Sequence, residues 1–151
     1  MVCTMPSLML DEAAKKACAR RGWTITNLEL QKLLYLAQLM YKRRYPNGKL
    51  VDTDFQAWDL GPVAPSLYHK AKVFGSEPVK NIFHSVENVD KELDVYLYDT
   101  CDKLKGKSAA YLVQMTHRTG GAWARYYRPD VSGVYIPDEA IREEAETFNT
   151  P

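Results

Sequence analysis

Thr26-Asn27-Leu28-Glu29-Leu30-Gln31-Lys32-Leu33-Leu34-Tyr35-Leu36-Ala37-Gln38-Leu39-Met40-Tyr41-Lys42-Arg43-Arg44 decides the fold class. Thr26 and Glu29 form a capping box, in which hydroxyl and carboxylate satisfy backbone N–H groups that open a helix. Leu30, Leu33, Leu34, Ala37, Met40 and Tyr41 then recur at the i, i+3, i+4, i+7 spacing of one helical face. Leu36 falls off that face, so burial on more than one side is expected. Gln31, Tyr35 and Gln38 make a polar-aromatic stripe at i, i+4, i+7 beside the apolar one. Lys42, Arg43 and Arg44 suit the negative end of the helix dipole, and Pro46-Asn47-Gly48 ends it.

Upstream, a helix is expected to start after Ser7 and run to about Arg21, with Leu10, Ala14, Ala17 and Cys18 on one side and Gly22 as its stop. Downstream, Phe55, Ala57 and Asp59 alternate with Gln56, Trp58 and Leu60, which reads as a short strand. Gly61-Pro62 breaks it, and Pro65 opens a helix carrying Leu67, Tyr68, Ala71 and Phe74 that Gly75 closes. Val79 to Phe83 reads as a second short strand. Asn88 or Asp90 caps a helix bearing Leu93, Tyr96, Leu97, Cys101 and Leu104. Ser108 opens another, with Leu112, Val113 and Thr116, and Gly120-Gly121 ends it before an aromatic turn, Trp123 to Tyr127. Val134-Tyr135-Ile136 reads as a strand, and Pro137-Asp138 starts a terminal acidic helix to about residue 147. The expectation is one mainly α domain over residues 1–151, a compact bundle of about six helices with a small β-hairpin or short strands.

Composition excludes whole classes. The 151 residues, 46% hydrophobic and 26% charged, describe a globular chain and no disordered or low-complexity one. Twenty Lys and Arg against nineteen Asp and Glu leave a net charge of +1, which argues against an obligate nucleic-acid binder. That balance is an average. From Pro137 onward, Asp138, Glu139, Glu143, Glu144 and Glu146 face only Arg142, a local −4 that leaves +5 on the rest. The tail reads as an exposed acidic face, with a partner-facing or self-docking segment as the sharper alternative. Cys3, Cys18 and Cys101 have no CxxC spacing, so reduced thiols and a cytoplasmic location are expected. No apolar run approaches ~20 residues, so no membrane span is expected.

Signals for catalysis are weak. His69, His84 and His117 lack metal-binding spacing, and Asp52, Asp54 and Asp59 read as loop and cap residues sooner than as a Mg2+ site. There is no P-loop, GxGxxG or GxSxG. No catalytic residue, cofactor or metal ligand is expected, and a metal-dependent hydrolase around His117 or the three aspartates is disfavoured. The basic clusters Lys15/Lys16/Arg20/Arg21, Lys42/Arg43/Arg44 and Lys103/Lys105/Lys107 sit late in helices or just past their ends, where the dipole favours cations.

Three segments carry a resemblance: Leu30-Gln31-Lys32-Leu33-Leu34-Tyr35, then Ala57-Trp58 with Gly61-Pro62-Val63 and Tyr68, then Thr116-His117 with Trp123. In that order they resemble the Panacea domain of the SocA-like antitoxin family, found also among phage-associated proteins. The resemblance covers about residues 25–128, and Leu36 departs from it where an aromatic residue is expected. It implies a non-enzymatic domain that neutralises a toxin protein, usually encoded beside it, by direct binding. In the SocA case the family member also acts as a proteolytic adaptor for ClpXP, so a cognate toxin and a ClpXP-like protease are the implied partners. Lys32, Tyr35, Trp58, Gly61, Pro62, Val63, Tyr68, Thr116, His117 and Trp123 match the motif as scaffold or as partner-binding residues, both readings open. Arg125, Tyr126, Tyr127 and Tyr135 cluster beyond the motifs and form the candidate partner surface. A homodimer is left open. The alternative function is a DNA-associated regulator of its own operon, or a phage-associated regulatory protein, with phosphate contacts from the +5 body.

Overall fold

One helix forms an axle, and the other elements are laid around it. The computed structural model describes residues 6–84 and 91–149. Strand β1 (Leu8–Met9) leads into α1 (Leu10–Arg20) and then α2 (Asn27–Arg44). Strands β2 (Val51–Asp52), β3 (Phe55–Trp58) and β4 (Gly61–Val63) follow, then α3 (Pro65–Ala71) and a 3-10 turn, Lys72–Phe74. The remainder is α4 (Lys91–Lys103), α5 (Ala109–Thr116), α6 (Ala122–Tyr126), β5 (Val134–Ile136) and α7 (Asp138–Thr147).

The capping box forms as expected: the Glu29 N–H donates to Thr26 Oγ1 at 3.2 Å, and the Thr26 N–H donates to Glu29 Oε1 at 3.0 Å. The burial of Leu36 on a second side is also observed. Leu30, Leu33, Leu34, Leu36 and Leu39 are all fully buried, because α1, α4, α5, α7 and β4 pack around α2 from different directions. Removing five leucine side chains from water is worth roughly 10 kcal/mol, comparable with the whole net stability of a domain.

The sheets are small. β1 pairs parallel with β2, and β3 is the centre of an antiparallel sheet in the order β4-β3-β5. The alternation read along β3 holds: Phe55 and Ala57 face the core, while Gln56 and Trp58 face outward. The strand ends at Trp58, since Asp59 and Leu60 make a turn into β4, with Trp58 opposite Gly61. On the other edge Gln56 lies opposite Tyr135.

Three readings differ from expectation. The first helix begins at Leu10 because Leu8–Met9 is held as a strand by Val51–Asp52. Val79 to Phe83 is no strand: only Pro78 bridges Thr26, and Val79 N–H donates to Ile25 O at 2.8 Å. Its neighbours Lys80, Asn81 and Ile82 are exposed, and no described strand lies beside them to continue a ladder. The aromatic turn after Gly121 is instead the helix α6, which brings the helices to seven among the described residues. Aromatic residues have low helix propensity, and tertiary contacts decide here. The proposed cap at Asn88 or Asp90 lies outside the described residues. No described helix is long and apolar enough to cross a membrane.

Candidate functional site

The buried polar side chains of α2 each hold a different part of the chain. Buried polar groups need partners, and these partners are supplied by distant chain segments. Gln31 donates to Asn27 Oδ1 at 3.1 Å and accepts the Ala64 N–H at 2.9 Å, which fixes the entry to α3. Gln38 exchanges two hydrogen bonds with the backbone of Val51, at 2.9 and 3.3 Å, and so anchors β2. Lys42 Nζ donates to Asp138 Oδ2 at 2.8 Å, tying down the start of α7. Tyr35 donates its hydroxyl to Glu144 Oε1 at 2.6 Å, and its ring stands edge-on to Phe55.

Lys32 is the most demanding member. Its side chain is fully buried, and Nζ donates to Pro62 O at 2.8 Å. Burial pulls its ammonium down to about 7, from an ordinary 10.5. The amine is closed off from solvent, so its work is to hold the β3–β4 turn. That turn needs Gly61 for two reasons. Its φ of +112° lies in the left-handed region, and a Cβ there would sit 2.8 Å from Thr116 Oγ1 and 3.0 Å from Lys32 Cε.

The third motif closes over the same point. His117 stacks on Trp123 at 3.7 Å and 2°, and Trp123 stacks on Tyr127 at 4.6 Å and 15°. Trp123 Nε1 donates to Trp58 O at 2.7 Å, and the Trp58 ring meets Tyr68 at 4.6 Å. Burial first, and then the charge of Lys32, lowers the His117 pKa, against a ring hydrogen bond to the Leu60 backbone. His117 Nε2 is buried without a hydrogen-bond partner. Lys32, Trp58, Gly61, Pro62, Tyr68, Thr116, His117 and Trp123, scattered along the sequence, thus meet at one junction, with Val63 buried beside it. Tyr35 stands on the same helix but faces α7.

Sequence reading missed Glu144. It takes the Tyr35 hydroxyl, the Ala122 N–H at 3.2 Å and Arg118 Nε at 3.2 Å, with its side chain fully buried. Its position was the available signal: Ile141, Ala145 and Phe148 form an apolar stripe, and Glu144 occupies a place on it. Glu143 pairs with Arg125 at 3.0 Å, so the acidic helix docks onto its own chain. The basic clusters are largely engaged too. Lys16 pairs with Asp94, Arg20 with Asp102, and Lys103 with Asp99. Asp54 pairs with Lys49, and no described group of three His, Cys, Asp or Glu is arranged to hold a metal ion.

The outer side of the junction carries two hollows. Trp58 and Asp59 form a ridge between two hollows of about 440 and 460 Å3. The first is walled by Gln56, Tyr127 and Val131, the second by Leu28, Leu60 and Tyr68. Tyr127 reaches the first hollow and donates its hydroxyl to Asp59. Tyr135 is 59% exposed, on the strand across from Gln56, whereas Arg125 and Tyr126 lie against each other with Arg125 held by Glu143.

Comparison with known proteins follows the same lines. The family model described as "Antitoxin SocA-like, Panacea domain" matches residues 30–124. "Antitoxin SocA" of Caulobacter vibrioides (strain NA1000 / CB15N) is 30% identical over 131 residues, covering 78% of this chain. The chain spans 65% of that relative's length. No solved structure matches the chain. The matched span opens on α2 just before Lys32 and closes just after Trp123, so it encloses the whole junction, and the chain belongs to the SocA-like, Panacea-domain antitoxin family.

Proposed function

We propose that this protein is an antitoxin that neutralises a cognate toxin protein by direct binding, acting in the cytoplasm without catalysis of its own. Family membership carries the reading, because the matched residues build a junction whose outer side offers two ligand-sized hollows. Occlusion of the toxin needs only an interface of about 1,600 Å2. Delivery of the bound toxin to a ClpXP-like protease is a second step in the same proposal. The test is co-expression with the protein encoded beside it. That neighbour should arrest growth alone, and this chain should rescue growth and co-purify with it. A neighbour that is harmless, or toxic but neither bound nor rescued, refutes the reading. A shortened toxin half-life that depends on the protease tests the adaptor step.

A further inference from the structure

Asp59 stands at the tip of the β3–β4 turn, on the rim shared by both hollows. It accepts the Tyr127 hydroxyl, and no Lys or Arg among the described residues pairs with it. Several surface carboxylates are served, Asp54 by Lys49, Asp138 by Lys42 and Glu143 by Arg125, while Asp52, Glu77 and Asp130, like Asp59, have no Lys or Arg partner among the described residues. What sets Asp59 apart is the Tyr127 hydroxyl and its place on both hollows. The surroundings of Asp59 are apolar and aromatic. Leu60 beside it is 56% exposed, Val131 in the first hollow is 51% exposed, and Trp58 and Tyr127 line the same hollow as Asp59. Lys72, which also lines the second hollow, likewise has no acidic partner among the described residues.

A carboxylate in a hollow lined by Trp58 and Tyr127 suits one side chain above others. Arginine is planar, weakly hydrated and able to stack on a ring while its fork meets a carboxylate. Lysine is a strongly hydrated point charge and gains less from the rings. Tyr127 fixes the Asp59 carboxylate in place beforehand, which lowers the ordering cost of such a contact. The second hollow, walled by Leu28 and Tyr68, takes a bulky apolar side chain, and Lys72 completes the charge pattern with a carboxylate.

We propose that the β3–β4 turn docks a protein segment in which an arginine seats on Asp59 and a neighbouring bulky apolar residue fills the hollow beside Leu60. This rests on the antitoxin reading above, and the segment belongs to the toxin. Isothermal titration of the purified full chain with the purified product of the adjacent reading frame tests it. Asp59→Asn keeps the Tyr127 contact and removes the charge; Leu60→Glu places a charge at the hollow. Each should weaken binding at least about tenfold, and Asp59→Asn should flatten the dependence of affinity on salt. Val95→Glu, on the exposed face of α4, is the control and should bind within twofold of wild type. Unchanged melting temperatures show that the variants fold. If wild type binds while Asp59→Asn binds within twofold of it, the arginine seat is wrong and the antitoxin reading survives. If Asp59→Asn weakens binding and Leu60→Glu does not, the apolar half of the docking is wrong, and the antitoxin reading again survives. If wild type does not bind at all, both fall together.

Discussion

Replacing Lys32 with Met removes an ammonium group from a place where water cannot reach it. The unfolded chain holds that proton up to an ordinary pKa of 10.5, whereas the folded chain releases it at about 7. Between those values the unfolded state binds more protons, so wild-type stability must rise with pH, by about 1.4 kcal/mol per unit. At pH 7 the folded state therefore carries a burden on the order of 4–5 kcal/mol. Lys32→Met lifts it but leaves the Pro62 carbonyl unpaired, a loss of about 1–3 kcal/mol. The variant should be more stable at pH 7 by roughly 2–3 kcal/mol, or about 4–10 °C in melting temperature. Other groups limit the window in which this can be read. The lowered His117 pKa gives a rise of the same sign, confined to pH below about 6.5. Burial pushes the Cys18 and Cys101 thiols up to about 12, so above their ordinary value of 9.0 the folded state keeps protons that the unfolded state loses. That makes stability fall, and the wild-type curve should turn over near pH 9. Urea unfolding at several values between pH 7 and 8.5 isolates Lys32, with the slope m checked for constancy. Wild-type stability that is flat or falling across this window would refute the argument. So would a variant less stable than wild type at pH 7.

Three further perturbations address other parts of the fold. Gly61→Ala forces a Cβ to within 2.8 Å of Thr116 Oγ1 at a left-handed φ, and should cost about 2–4 kcal/mol in urea unfolding; a loss below about 1 kcal/mol would show that the turn is soft. Glu144→Ala deprives Tyr35, Ala122 and Arg118 of a shared acceptor and should cost about 3–5 kcal/mol, with α7 cut earlier by protease; Glu144→Gln should lose roughly half as much. In a Cys3→Ser background, the buried Cys18 and Cys101 should resist alkylation at pH 8 in the folded protein and react at once in urea. Fast labelling of the native chain would contradict their burial.

The legible features were those carried by near neighbours in sequence. Thr26 and Glu29 announced the start of α2 because a capping box is complete within four residues. Leu36, off the apolar stripe, announced a helix enclosed on several sides. The alternation of Phe55 and Ala57 with Gln56 and Trp58 announced β3. The ordered motifs announced the family as well. Their convergence was not legible. Lys32 and Gly61 are far from Thr116 and His117 in sequence, and nothing in their spacing says that Gly61 leaves room for Thr116. α6 was read as a turn because its aromatic residues favour no helix by themselves. It forms because Glu144 takes the Ala122 N–H and Trp123 docks on Trp58.

The sequence by itself determined the axle, strand β3 and the family, since periodicity and capping act over a few residues. Gly61-Pro62, read as a break, is instead part of the strand β4 that pairs with β3. Tertiary structure alone decided which polar side chains are inside. Lys42 is buried and its neighbour Arg43 is exposed, although both end the same helix. Glu144 is sealed in the core while Glu143 and Glu146, beside it in the acidic tail, stay nearer solvent. A charge is tolerated inside only where distant groups arrive to satisfy it, and the partner Tyr35 lies 109 residues away from Glu144. The same rule leaves Asp59 outside, held by Tyr127 and without a cation among the described residues. The proposed arginine seat rests on that exposed charge.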